Sequence, residues 1–245
     1  MNLIYLISRK WSADILDQII EKKKFLNLKI KVFVTQKKFI TKKIHDYCNV
    51  SIIKEKNLIK NIKPIKKFNP KIIFAYGWSG YINKELRDIC NCLILHPSEL
   101  PKFRGGSPIQ NQLVRNINKS AITILLASDK IDSGDILFQK KILLNGYLDD
   151  IHNRIVKMGV SGTEKILKNI QKNQIIYYEQ DHKKATTFKR RTPAMSEIFI
   201  DDFKNYNAKY FYNLIRGLQK PYPECFIRCK NNSILYIQKV SLKKN

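Results

Sequence analysis

Over the first hundred residues, short apolar runs alternate with segments of helical spacing, and this rhythm constrains the fold more than any other feature of the chain. NLIYLI (2–7) reads as a first strand. WSADILDQIIEKKK follows with helical spacing and Ser12 as its expected N-cap. LKIKVFVT reads as a strand, TKKIHDYC (41–48) as a short helix and VSII (50–53) as a third strand. PKIIFAYG (70–77) is a continuous apolar strand, followed by a helix near 82–89 and then the strand CLILH (92–96). Strands that alternate with helices predict an α/β fold with a doubly wound, mostly parallel sheet. Ligands of such sheets bind at the carboxyl ends of the strands, where Tyr76-Gly77 and His96 fall.

Further on, Ser107-Pro108 reads as an N-cap followed by proline at the first helical position, opening a helix over SPIQNQLVRN (107–116). AITILLAS (121–128) and DILFQKKILL (135–144) are β-rich and flank the loop DKIDSGD, and residues 148–170 predict a long amphipathic helix. From about residue 180 the composition changes. DHKKATTFKRRTP reads as a basic, extended linker, then a helix over 206–218 and two short strands, ECFIRCK and SILYIQKV, meet at the turn Asn231-Asn232. The expectation is a first domain over 1–180, then a linker and a small C-terminal α+β subdomain over 181–245, too short for a comfortable core of its own.

With 44% hydrophobic residues, the 245-residue chain can bury a real core. No apolar run is long enough to cross a membrane and no signal-peptide pattern opens the chain, which argues for a cytoplasmic protein without a membrane partner. The five cysteines are scattered, and Cys90 and Cys92 lack companions for zinc, so buried or neutral thiols are the expectation. A net charge of +26 suits nucleic acid or an anionic small substrate. Stretches such as KEKNLIKNIKPIKKFNPK (54–71) equally fit a compositional lysine bias, and no aromatics interleave with the lysines in a stacking pattern.

Two loops carry candidate chemistry. His96 ends an apolar strand and is followed by Pro97, Pro101 and Pro108, which restrict the backbone, and by Gly105-Gly106, which frees it. Ser98, Lys102, Arg104 and Ser107 supply donors there. A stiff, polar frame suits a reactive imidazole, although a strand-end histidine can also be merely hydrogen-bonded. In SDKIDSGD (128–135), Asp132 and Asp135 bracket Ser-Gly. This is ordinary turn chemistry, or else a carboxylate that pairs with His96 and accepts a proton from an attacking amine.

HPSELPKFRGGSPIQ resembles the signature loop of the folate-dependent formyltransferases, where members read roughly N-I-H-P-S-L-L-P-x-x-R-G-x-x-P. KIDSGDI is similar to their L-D-x-G motif and IIFAYGWSGYINKEL to their A-Y-G strand-loop-helix. FKRRTPAMSEI and NLIRGLQKPYPECF resemble the segment that follows. The likeness covers about 70–230, and four motifs in order are more specific than any one alone. It implies the Rossmann-like formyltransferase fold, with 1–180 as catalytic domain, and 10-formyltetrahydrofolate as formyl donor with no metal. It also implies His96 and Asp132 as the catalytic pair, and a pterin pocket formed by Tyr76, Gly77, Trp78, the backbone around Leu93 and Leu95, and Ser128, Asp129 and Ile131. Ser98, Lys102, Arg104, Gly105 and Gln110 are candidates for holding the acceptor. The short tail and the FRGGSPIQ wording resemble the branch acting on nucleotide-linked amino sugars, so an anionic nucleotide sugar is the expected acceptor. Methionyl-tRNA is the alternative, and homodimer formation stays open. The pattern is broken at one place. Ile94 stands where the family usually has asparagine, whose amide donor to an oxyanion is typically worth several kcal/mol. Asn91 and Asn111 lack the spacing to replace it. A folate-binding homologue with weak or lost catalysis is therefore a further alternative.

Overall fold

The short apolar runs become the strands of a sheet with an apolar layer on each face. The computed structural model describes residues 1–22 and 27–243. The first half runs β1 (Asn2–Ile7), α1 (Lys10–Ile20), β2 (Lys29–Val34), α2 (Lys42–Tyr47), β3 (Asn49–Ile52), α3 (Ile62–Phe68), β4 (Ile72–Tyr76), α4 (Lys84–Arg87) and β5 (Asn91–His96). Then come β6 (Arg104–Gly105), α5 (Pro108–Leu113), β7 (Lys119–Leu126), β8 (Ile136–Leu143) and α6 (Leu148–Gln171). The tail holds β9 (Thr187–Phe188), α7 (Asp202–Asn205), α8 (Ala208–Gly217), β10 (Cys225–Arg228) and β11 (Ile234–Ile237).

Among the described residues the main sheet has seven strands in the order β3-β2-β1-β4-β5-β7-β8. The first five are parallel, and β7 and β8 turn antiparallel. The chain builds outward from β1 to β3, then restarts on the other side of β1 with β4. That reversal opens a crevice at the carboxyl ends of the strands. Leu3, Tyr5 and Ile7 of β1 and Leu93 and Leu95 of β5 join one core cluster, with Trp11, Ile15 and Ile19 of α1 and Ile151 and Ile155 of α6. Ile4, Leu6, Ile73, Ala75 and Cys92 face the opposite layer, with Ile65 of α3 and Leu86 of α4. Each such side chain, once buried, contributes about 1.5–3 kcal/mol. α6 comes close to the sheet because Gly162 has no side chain. A Cβ there would lie 2.6 Å from Ile124 and 2.7 Å from Phe138.

Local differences from the sequence reading have packing causes. α1 begins at Lys10, two residues before Ser12, because Trp11 belongs to the buried stripe; Ser12 itself is fully buried inside the helix. The expected end of that helix at Lys23 and Lys24 lies outside the described residues. Thr41, Asn83 and Asn207 do cap, accepting from Ile44, Leu86 and Tyr210. Ser107 precedes α5 but does not cap it: its φ is 48° and its hydroxyl accepts from the Arg191 amide at 3.1 Å. α3 forms within the lysine-rich stretch, where Ile65 supplies a buried contact. Asn231 and Asn232 both take positive φ between β10 and β11, which pair antiparallel. Segment 181–193, read as a linker, instead packs on the loop after β5: β9 pairs in parallel with β6 in a separate two-stranded sheet. Among the described residues no helix is long and apolar enough to cross a membrane.

Candidate active site

His96 closes β5 and Asp132 arrives from a different direction. The loop after β7 starts beside the lower part of β5, where the Ala127 amide donates to Cys92 O at 2.8 Å. A bulge between Ile124 and Leu125 marks this end of the β7–β8 pair. The loop then folds back along the sheet, so that Asp132 Oδ2 stands 3.3 Å from His96 Nδ1. Both side chains are withdrawn from solvent, with His96 5% and Asp132 9% exposed. Asp132 adopts φ 51°, a left-handed conformation uncommon for a residue with a Cβ.

The loop after His96 wraps around its ring. His96 Nε2 lies 2.8 Å from Phe103 O. A carbonyl only accepts, so Nε2 donates, and Nδ1 is the nitrogen left to face the carboxylate. Asp132 Oδ2 also accepts from the Gly105 amide at 2.8 Å. Gly105 has φ 93°, and a Cβ there would run into Phe188 O, so only glycine lets loop and tail meet. The loop is pinned on its sheet side. Thr123 Oγ1 donates to Ser98 O at 2.7 Å, Gln139 Nε2 donates to Leu100 O at 3.0 Å and Gln112 Nε2 donates to Pro97 O at 2.9 Å. It is pinned again by the tail. The Phe103 amide donates to Thr186 Oγ1 at 2.9 Å, and the Arg104 and Gly106 amides donate to Thr186 O and Phe188 O at 2.8 and 2.9 Å. Phe103 stacks on Phe188 at 4.9 Å, and Arg115 covers the Phe188 ring at 4.1 Å. Hydrogen bonds of this kind contribute about 1 kcal/mol each, and together they fix the loop geometry.

The structure brings some expected site residues to this mouth and commits others elsewhere. Tyr76 is fully buried on the α1/α6 side; its hydroxyl accepts from Thr163 Oγ1 at 3.1 Å, and burial pushes the phenol well up. Leu93 and Leu95 point the same way, because neighbours of His96 on a strand face away from it. Only the backbone of these three residues borders the His96 side. Gly77 follows β4 with φ 63°. Trp78 packs against the opposite core layer. Asp129 receives Arg87 in an ion pair, and Tyr81 donates to its carbonyl at 3.3 Å, which ties the loop after β4 to the loop after β7. Ser128 donates to Lys130 O at 2.9 Å, and Ile131 is 62% exposed.

Ser98 is buried and its hydroxyl closes the loop onto Lys102 O at 2.8 Å, while the Lys102 side chain is exposed. Arg104 turns inward: Nε and Nη2 donate to Gln180 Oε1 at 3.2 and 2.6 Å, and Nη2 to His182 Nδ1 at 2.9 Å. Gln110 donates to Gly217 O at 3.1 Å, joining α5 to α8. Arg104 and Gln110 thus hold structure together rather than offering free groups to an anion. Ile94 lies on the His96 face of β5, against Leu100, Leu125 and Ile136. Asn111 donates to Gly106 O at 2.8 Å, and Asn91 sits at the far end of β5, so neither supplies the missing amide.

Sequence reasoning passed over Phe103, Thr186, Phe188 and Gln180. None carries a local signal. Their importance comes from the tail crossing the loop, which periodicity does not report.

The family assignment rests on likeness to known proteins. The profile of a family described as formyl transferase matches residues 2–167. A methionyl-tRNA formyltransferase of Finegoldia magna is 31% identical over 176 residues, covering 69% of this chain and 54% of that protein. The chain thus spans about half the length of the first curated relatives it matches. Among solved structures, a methionyl-tRNA formyltransferase from Clostridium thermocellum superposes with TM-score 0.75 at 28% identity, covering 99% of this chain and 94% of that one. A 4-N formyltransferase from Francisella tularensis shares the fold, with TM-score 0.78 at 18% identity over 100% of this chain and 98% of its own. With the family profile spanning more than half of its length, this chain belongs to the formyl transferase family.

Proposed function

We propose that the chain transfers the formyl group of 10-formyltetrahydrofolate to the amino group of a nucleotide-linked amino sugar. The observation that carries the reading is the His96–Asp132 contact at 3.3 Å, with the Phe103 carbonyl taking the other ring nitrogen. In this reading residues 1–180 are the catalytic domain and 181–245 a linker and small subdomain. The pterin lies between the loop after β4 and the loop after β7, bordered by Gly77, Trp78, Ser128, Asp129, Ile131 and the backbone of Tyr76, Leu93 and Leu95. The acceptor enters over Lys102 and Gly105.

Here the amine nitrogen attacks the formyl carbon and the carbonyl π pair moves onto oxygen. In this reading His96 acts as the imidazolium: Nε2–H stays on Phe103 O, Nδ1–H donates to the developing oxyanion, and Asp132 takes a proton from the attacking nitrogen. The intermediate then collapses. The bond from the formyl carbon to folate N10 breaks, N10 gains the proton that Asp132 took from the amine, and the formamide and tetrahydrofolate leave. Ile94 contributes no donor, so more of the oxyanion's charge falls on His96 than in relatives with asparagine there.

The likeness in fold to a sugar N-formyltransferase from Shewanella sp., with TM-score 0.74 at 17% identity over 100% of this chain, supports the sugar reading. A second reading, transfer to methionyl-tRNA, is favoured by the names of the nearer relatives and by the charge of +26. The test incubates the protein with 10-formyltetrahydrofolate and a panel of nucleotide-linked amino sugars or charged methionyl-tRNA, following formamide formation by mass. Formylation of a sugar nucleotide supports the first reading and formylation of the tRNA the second. Folate binding without transfer to either supports a binding protein disabled at Ile94.

A further inference from the structure

Gln180 enters from the tail, well after the sheet is complete, and only 4% of it is exposed. Its amide uses every hydrogen-bonding position it has. Nε2 donates to Asp132 O at 3.0 Å and to Gly134 O at 2.7 Å. Oε1 accepts from Arg104 Nε at 3.2 Å and from Arg104 Nη2 at 2.6 Å. Two donors meet two carbonyls of one loop, and two acceptor positions meet the guanidinium of the other. Between those loops stands Asp132, with φ 51°, a backbone conformation that does not persist unless its surroundings hold it. The carboxylate end is held by the Gly105 amide and faces His96. The carbonyl end is held by Gln180.

We infer that Gln180 is a positioning residue: it clamps the 132–134 backbone to Arg104 and so holds Asp132 in its left-handed conformation against His96. Gln180 touches neither reacting atom and acts through Asp132; its effect on turnover rests on the function proposed above. Glutamine fits this place because the clamp needs two N–H donors on one side. Glutamate keeps both acceptors for Arg104 but sets an oxygen against the carbonyls of Asp132 and Gly134.

The test compares wild type with Gln180→Glu, which retains the Arg104 partner, and Gln180→Met, which removes the amide at similar length. Kinetics use 10-formyltetrahydrofolate and whichever panel acceptor the wild type formylates. In the folded variants kcat should fall about 10- to 100-fold, the scale of a displaced catalytic group, while KM for the folate stays near wild type. Histidine ring resonances of the resting protein give a readout that needs no acceptor. The His96 signals should move in both variants while those of His45 and His152 stay in place. Unmoved His96 signals, or wild-type kcat in a folded variant, overturn the inference. If neither variant folds, the Gln180 side-chain amide protons of the wild type decide: exchange slower than that of exposed glutamines supports the clamp, and equal exchange overturns it. Full transfer by a His96→Gln variant would sink the proposed function instead, and leave the resonance result to judge Gln180 alone.

Discussion

Two histidines of this protein sit in opposite kinds of interior. Around His96 both ring nitrogens meet oxygen, Phe103 O at 2.8 Å and Asp132 Oδ2 at 3.3 Å, and the side chains that build the loop are themselves hydrogen-bonded. His152, on α6, is half-buried, with Nε2 shielded from solvent and lacking any partner among the described residues and the Tyr222 ring 6.5 Å away. Burial lowers its pKa from 6.5 to about 4, with Arg9 and Lys10 acting in the same direction and Asp149 and Asp14 opposing. The contrast separates burial that serves chemistry from burial that serves packing. A partnered imidazole can hold and pass a proton, whereas an unpartnered one stays neutral and costs stability when it is forced to charge.

The strongest way to break the comparison is at His96. His96→Ala and Asp132→Ala should each lower formyl transfer by about 10²- to 10⁴-fold, the usual worth of a general acid or base, with circular dichroism unchanged. Full activity in both would remove the pair from the chemistry. His152 should respond to pH rather than to substrate. The unfolded chain takes up its proton near 6.5 and the folded chain only near 4, so the contribution is complete above 6.5 and is lost as pH falls toward 4. The loss approaches roughly 3 kcal/mol, and His152→Gln should flatten this part of the stability-against-pH curve from denaturant melts. An equal acid slope in that variant would assign the loss to other groups.

Gly105→Ala probes the join of loop and tail. With φ 93° and Phe188 O in the way of a Cβ, it should cost about 1–3 kcal/mol, read as a lower melting temperature, and lower transfer as well. Ile94→Asn should have the smallest effect. It gives up part of the contact with Leu100, Leu125 and Ile136 for about 1–2 kcal/mol of stability, and transfer should rise or hold steady. A collapse of activity would mean that the apolar contact itself shapes the pocket.

The legible part of the site was its frame. A histidine at a strand end, the three prolines that follow it and a Gly-Gly pair are local features, and local features survive in a string of letters. The period of two along a strand assigns Leu93 and Leu95 to the face away from His96, so their burial follows from the letters of β5. Arg104 was different. Its place beside His96 suggested an anion contact, and only the arrival of Gln180 and His182 from the tail turns the guanidinium inward.

By itself, the sequence determined a doubly wound sheet, the strand that ends in His96, and the glycine that its loop requires, because alternation, proline restriction and glycine freedom act over a few residues. Tertiary structure alone decided that the 127–135 loop folds back to bring Asp132 to His96, that Phe103 orients the ring, and that segment 180–188 locks both loops. Those contacts join residues far apart in the chain, and their geometry depends on how the packed elements meet rather than on any local preference.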